Sequence, residues 1–212
     1  MTRMIFVRHG ESQANLEAVF AGNYNPYLTE RGRMQARRAA EALKDTRIDV
    51  AYASDLIRAY ETGEIVAAPH GLTPIPDQGL REIFGGEWEA LPFCELNEKY
   101  PEDYAVWCND LANARPTGGE SVRELSVRLK ETCERIARKE EGKTVLVALH
   151  ATPIRVMQLH WEGRPVDDIA EIPWVINASI SIADFDGEKW TPVVIGEAKH
   201  LAGLETYLPS NI

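Results

Sequence analysis

The stretch Thr144-Val145-Leu146-Val147-Ala148-Leu149 is apolar almost without a break, and it stops at His150. A run of that length, rich in β-branched and aliphatic residues, fits a strand buried on both faces. Strands of that kind belong to parallel sheets covered by helices on either side. A second such run, Met4-Ile5-Phe6-Val7, ends as sharply at Arg8-His9-Gly10. Between and after them the pattern alternates. Thr29 is placed to cap a helix over about Glu30–Lys44, with Met34, Ala39, Ala40 and Leu43 on its apolar face. Ile48–Ala53 reads as a strand. Ser54-Asp55 would cap the next helix, which closes near Gly71.

The middle of the chain is less regular. Leu80–Phe84 reads as extended up to the break at Gly85-Gly86, with short helical pieces expected at Phe93–Tyr100 and Tyr104–Leu111. Val122–Lys139 is the clearest helix, because Val122, Leu125, Leu129, Cys133 and Ile136 recur at spacings of three and four. Pro153 is suited to start a helix after His150. Ser179–Phe185 alternates, Asp186-Gly187 signals a tight turn, and Trp190–Ile195 returns as a hairpin partner. The expected fold class is therefore α/β, a mostly parallel sheet flanked by helices on both faces. Without repeats or a linker rich in Gly, Pro or Ser, one domain spanning 1–212 is expected.

Composition narrows the partners. The formal charge is −10, which disfavours nucleic acid and anionic membrane as partners. The longest apolar run is far short of the ~20 residues of a transmembrane helix. Met1–Val7 gives way to polar residues at once, unlike a secretory leader, so a soluble, cytoplasmic protein is expected. Cys94, Cys108 and Cys133 lack Cys-x-x-Cys spacing and read as free thiols.

Ligands of such sheets bind at the carboxyl ends of the strands. His9 and His150 both fall there, Arg8 adjoins the first, and Arg58 lies early in the helix after Ile48–Ala53. Two arginines and two histidines at one sheet edge make a cationic cup suited to phosphate. On spacing alone, structural histidines or a metal site with a carboxylate remain open.

Several segments in order resemble one family. Arg8-His9-Gly10-Glu11-Ser12 with Asn15 is similar to the opening signature of the histidine phosphatase superfamily, which includes the phosphoglycerate mutases. Leu28-Thr29-Glu30-Arg31-Gly32, Ala53-Ser54-Asp55-Leu56-Ile57-Arg58-Ala59, Leu80-Arg81-Glu82 with Phe84-Gly85, Gly118-Gly119-Glu120-Ser121, and Leu149-His150 continue the likeness. The resemblance implies a phosphoglycerate mutase-like fold. It also implies that His9 is a nucleophile carrying a phosphohistidine, and that Arg8, Arg58 and His150 hold the phosphoryl oxygens. Asn15 would add a hydrogen bond, Ala151 a backbone donor, and Glu82 would be the general acid and base. No metal and no cofactor are implied.

The likeness has departures. The family stretch Phe-Gly-x-Trp-Glu-Gly becomes Phe84-Gly85-Gly86-Glu87-Trp88-Glu89-Ala90, one residue longer, so Glu87 and Glu89 compete with Glu82 as proton donor. Ala151-Thr152-Pro153 replaces a run that is often glycine-rich. Glu11, Glu120 and His160 read as structural and His70 as solvated, while His200 is assigned no chemistry. Gly22, Asn23 and Tyr24 form a candidate substrate loop, and Phe93, Tyr104 and Trp107 candidate aromatics at the mouth. The expected activity is hydrolysis of a small phosphomonoester metabolite by a monomer or homodimer. The alternatives are a cofactor-dependent phosphoglycerate mutase and a non-catalytic phospho-ligand binder.

Overall fold

A computed structural model describes residues 1–206; positions 207–212 of the expected 1–212 unit lie outside the described residues. The strands are β1 (Thr2–Arg8), β2 (Val50–Ala53), β3 (Ile75–Pro76), β4 (Thr144–Leu149), β5 (Ile180–Phe185) and β6 (Trp190–Glu197). They form one sheet in the order β3-β2-β4-β1-β5-β6. β1 and β2 run parallel to β4, and β3 is parallel to β2, while β5 and β6 are antiparallel additions. The mostly parallel α/β sheet read from the sequence is the sheet observed.

Side chains of successive strand residues go to opposite faces, and the core divides accordingly. Met4, Phe6, Val145 and Val147 share one cluster with Leu125, Leu129, Cys133 and Ile136 of α6 (Val122–Lys139) and Ile154, Met157 and Trp161 of α7 (Ala151–Glu162). Ile5, Val7 and Leu146 share the other with Ala39 and Leu43 of α2 (Glu30–Leu43) and Val66 and Ala67 of α3 (Ile57–Ala67). Helices therefore cover both faces. The Thr29 cap read from the sequence forms, accepting from the Gly32 amide, and Ser121 with Glu124 adds a reciprocal capping box at the start of α6. The turn does too, since the Asp186 carboxylate accepts from the amides of Glu188 and Lys189.

Several boundaries differ, each for a local reason. β2 begins at Val50, not Ile48, because the Asp49 carboxylate takes the Thr144 amide at the strand's start. Ser54-Asp55 does not cap α3. Leu56 occupies that position, Asn25 from a distant loop accepts from the Ile57 amide at 2.7 Å, and the Asp55 carboxylate is held by Arg81. Leu80–Phe84 is no strand. Gln78–Leu80 is a turn of 3₁₀ helix, and the carbonyls of Gly79, Arg81 and Glu82 accept from the Arg128 guanidinium rather than from a sheet neighbour. The helical pieces are α4 (Phe93–Lys99) and α5 (Pro101–Asn109); Pro101 starts α5 earlier than Tyr104. α7 begins at Ala151, with Pro153 inside its first turn, where a missing N–H costs no helical bond. α1 (Gln13–Glu17) and β3 were not anticipated.

The register places the site. Arg8 pairs with Leu149, and Ala53 pairs with Ala148. Residues 9, 54 and 150 thus leave three adjacent parallel strands at one carboxyl edge.

Candidate active site

His9 is fixed at that edge through backbone and ring. Its amide donates to the Leu149 carbonyl at 2.9 Å, and Asn177 Nδ2 donates to its carbonyl at 3.0 Å. Its Nδ1 lies 2.7 Å from the Gly10 carbonyl oxygen. A carbonyl only accepts, so Nδ1 carries the hydrogen and Nε2 is left with its lone pair. The rings of His9 and His150 meet edge to face, 5.2 Å between centroids. His150 Nε2 is 2.9 Å from Ser54 Oγ. Gly10 has no room for a side chain, since a Cβ there would stand 2.3 Å from the Gly32 carbonyl oxygen. The histidine loop therefore lies directly on the first turn of α2.

Two guanidiniums close on this pair. Arg8, the last residue of β1, donates to the Val175 carbonyl. Arg58, in the first turn of α3, donates to the carbonyls of Gly22 and Tyr24 at 2.8 and 2.9 Å. Both are buried, and neither forms an ion pair with a carboxylate among the described residues. The Nε atoms of both arginines and Nδ1 of His150 are buried with no hydrogen-bond partner. Isolated buried cations cost several kcal/mol each, and unmatched donors add to that cost. An anion in the cleft relieves both.

The proton affinities follow from burial. Desolvation, with Glu82 opposing it, lowers both Arg8 and Arg58 to about 10, still charged at neutral pH. Burial, then the charges of Arg58 and Arg8, holds His9 well below its ordinary value. Burial and Arg58 do the same to His150. Glu82 moves the other way: burial raises it, although Oε1 accepts from the Ile83 amide at 2.8 Å and Oε2 from the Thr152 amide at 3.3 Å. Neutral histidines and a carboxyl that keeps its proton longer than usual result.

The cleft is lined by Arg8, His9, Asn15, Gly22, Arg58, Glu82, Ala151 and Thr152 on its polar side. Asn15 Oδ1 takes the Ser12 amide, the Ser12 hydroxyl and Asn177 Nδ2, which leaves its NH₂ as the end available to a ligand. His150 lies behind His9, fully buried. Asn23 and Tyr24 do not line the cleft. The Asn23 amide donates to Glu89, while Tyr24 is exposed and contributes the carbonyl that holds Arg58. Phe93 and Trp107 line it, whereas Tyr104 packs against Trp88 at 5.9 Å. Neither Glu87 nor Glu89 lines it: Glu87 accepts from the Tyr100 hydroxyl, and Glu89 takes the amides of Asn23 and Gly85. The longer loop folds as a 3₁₀ turn at Gly86–Trp88, and Gly86 has a positive φ of 54° there.

Sequence reasoning missed Asn177, Arg128 and Trp174. Asn177 reaches His9 and Asn15 from 168 and 162 positions away. Arg128 grips the backbone that carries Glu82, and its Nε and Nη2 also pair with Glu120. Glu11, expected to be structural, accepts from the hydroxyls of Thr29 and Thr206. Among the described residues no cluster of three or more His, Cys, Asp or Glu could hold a metal ion, and no helix is long and apolar enough to cross a membrane.

A mostly parallel α/β sheet with a buried, cationic, histidine-bearing cleft at the carboxyl ends of its strands is the class this structure defines. The model of the histidine phosphatase superfamily (branch 1) matches residues 4–198, and the chain belongs to that superfamily. It is 36% identical over 202 residues to phosphoglycerate mutase-like protein 4 of Arabidopsis thaliana, covering 93% of this chain and 86% of the relative. It is 35% identical over 157 residues to phosphoserine phosphatase 1 of Hydrogenobacter thermophilus, covering 74% of each. The solved structure of YhfR from Bacillus stearothermophilus superposes with a TM-score of 0.90 at 28% identity, covering 95% of this chain and all (100%) of that one.

Proposed function

We propose that this protein is a metal-independent phosphatase that hydrolyses a small organic phosphomonoester through a phosphohistidine on His9. The observation that carries the reading is the Nδ1 contact to Gly10, which leaves Nε2 unprotonated beside Arg8 and Arg58. In the first step Nε2 attacks phosphorus, the bond from phosphorus to the ester oxygen breaks, and Glu82 gives its proton to the departing alkoxide. In the second, water attacks the phosphohistidine, its proton passes to Glu82, the P–N bond breaks, and phosphate leaves. Arg8 and Arg58 neutralise the transferring group, with hydrogen-bond donors from His150, Asn15 and the Ala151 amide. Together these five groups do the work that a magnesium ion does elsewhere.

The test is a rapid quench with ³²P-labelled ester. Label should appear on His9, be lost in acid and survive base, and be absent from His9→Ala. Turnover should persist after exhaustive chelation. Wild-type turnover in His9→Ala, or loss on chelation that zinc or magnesium restores, would overturn the mechanism.

A further inference from the structure

Resting on the hydrolytic reading above, the far side of the cleft carries a second assignment. The cleft encloses about 550 Å³, counting its open mouth. Its ionisable lining is Arg8, His9, Arg58 and Glu82, all converging on the phosphate position. Every other residue beyond that end is apolar or small. We propose that Val19, Phe20, Ile83, Phe93, Trp107 and Trp174 form a leaving-group site for an uncharged, apolar alcohol, with an aromatic or bulky hydrocarbon group. Amino-acid and sugar-acid phosphates are then the disfavoured substrates.

Three features support this. First, one wall is built in advance of any ligand. Phe20 stands edge-on to Trp88 at 5.6 Å and to Trp107 at 5.4 Å, and leans on Phe93 at 5.7 Å. Trp88 is completely buried, so the wall is anchored in the core, and a flat hydrocarbon can stack on it without ordering side chains first.

Second, Trp174 is held by a buried cation that does not itself line the cleft. Arg155 lies 4.0 Å over the Trp174 ring and donates to the carbonyls of Ile169 and Ile172. Trp174 lines the cleft and Arg155 does not, so the guanidinium packs on this ring from outside the lining and steadies it.

Third, a substrate carrying a carboxylate or ammonium would bring that charge against these rings, where the lining offers no charged side chain apart from those at the phosphate end. Burying an unpaired charge costs far more than an apolar contact returns. Phosphoserine brings both charges and a phosphoglycerate brings a carboxylate.

Benzyl phosphate and O-phosphoserine both leave as primary alkoxides, so comparing them isolates the pocket from leaving-group chemistry. Wild-type kcat/KM should favour benzyl phosphate by at least about tenfold, the scale on which a hydrophobic pocket discriminates. Trp174→Ala should lower the benzyl value about tenfold and the phosphoserine value by several-fold less, and Trp174→Phe should keep most of the benzyl value. Binding to the His9→Ala variant, by calorimetry, should show the same order of affinity without turnover. A preference for phosphoserine or 3-phosphoglycerate, or equal losses on both esters in Trp174→Ala, would overturn the assignment. A wild-type protein that hydrolyses neither ester, while His9→Ala binds benzyl phosphate the more tightly, would uphold this site and remove the hydrolytic reading instead.

Discussion

His9 and Glu82 share one cleft, and burial moves their proton affinities in opposite directions, His9 down and Glu82 up. In the proposed mechanism the reactive pair is neutral histidine with protonated glutamate, so the sign of each pH limb follows. Phosphoryl transfer fails on the acid side only when His9 gains its proton, well below the ordinary histidine range near 6.5. On the alkaline side it falls as Glu82 ionises, above the ordinary carboxylate value. Burst-phase rates should therefore be highest between these two limbs and fall on either side. Glu82→Gln keeps the shape and removes the titration, so the alkaline limb should flatten relative to wild type on the same ester. The loss should be about 10²–10⁴-fold for alkyl phosphates and far smaller for p-nitrophenyl phosphate, whose leaving group departs without a proton. A uniform loss on both esters, with the wild-type limb retained, would reduce Glu82 to a structural role.

At the scale of elements, two contacts hold the machinery, and each can be broken singly. The histidine loop meets α2 backbone to backbone, so a Cβ on Gly32 would stand 2.0 Å from the Glu11 carbonyl oxygen. Gly32→Ala should cost about 1–3 kcal/mol in urea denaturation, the usual cost of overpacking; stability within 0.5 kcal/mol of wild type would mean that the loop yields freely. Arg128 spans from α6 to the carbonyls of Gly79, Arg81 and Glu82. Arg128→Met keeps the stem and removes the fork, so kcat should fall about 10–10²-fold while KM moves less, with partial rescue by Lys. A rise in KM alone would assign Arg128 to substrate binding. These contacts also mark the limit of legibility. Thr144–Leu149, the α6 spacing and the Asp186-Gly187 turn declared themselves because their signals are local. Leu80–Phe84 reads as extended because Leu80, Ile83 and Phe84 are apolar and Gly85-Gly86 breaks the chain after them. Its Arg81 and Glu82 carbonyls are satisfied by an arginine 47 and 46 residues away, which no local pattern encodes. β3 is two exposed residues defined only by pairing with β2. At the site, His9, His150, Arg8 and Arg58 stood at strand ends or helix starts and could be singled out. Asn177 and Trp174 come from an irregular segment that only the fold brings near, and the role of Tyr24 is carried by a carbonyl, which every residue has.

Across the whole molecule, a chain of formal charge −10 folds around a cleft whose buried groups carry net positive charge. The parallel pairing of β1, β2 and β4 makes this arrangement, since it brings three loop starts from distant parts of the chain to one edge. Such a site burdens the empty fold, and His150 provides a way to read the burden. It is fully buried, its Nδ1 has no partner, and burial with Arg58 nearby keeps it neutral far below the pH at which the unfolded chain protonates. Below about pH 6.5 the unfolded state therefore binds one proton more than the folded state at this position. Stability must fall as pH falls, by up to about 1.4 kcal/mol per pH unit from this group. In His150→Asn that contribution is absent, while His9 and the surface carboxylates remain. Urea denaturation between pH 5 and 6.5 in phosphate-free buffer should give a shallower slope for the variant than for wild type. Added phosphate should narrow the gap, because an anion beside the ring favours its charged form and lifts the folded-state proton affinity. Parallel stability curves in phosphate-free buffer would show that His150 gains its proton in the folded protein as readily as in the unfolded chain.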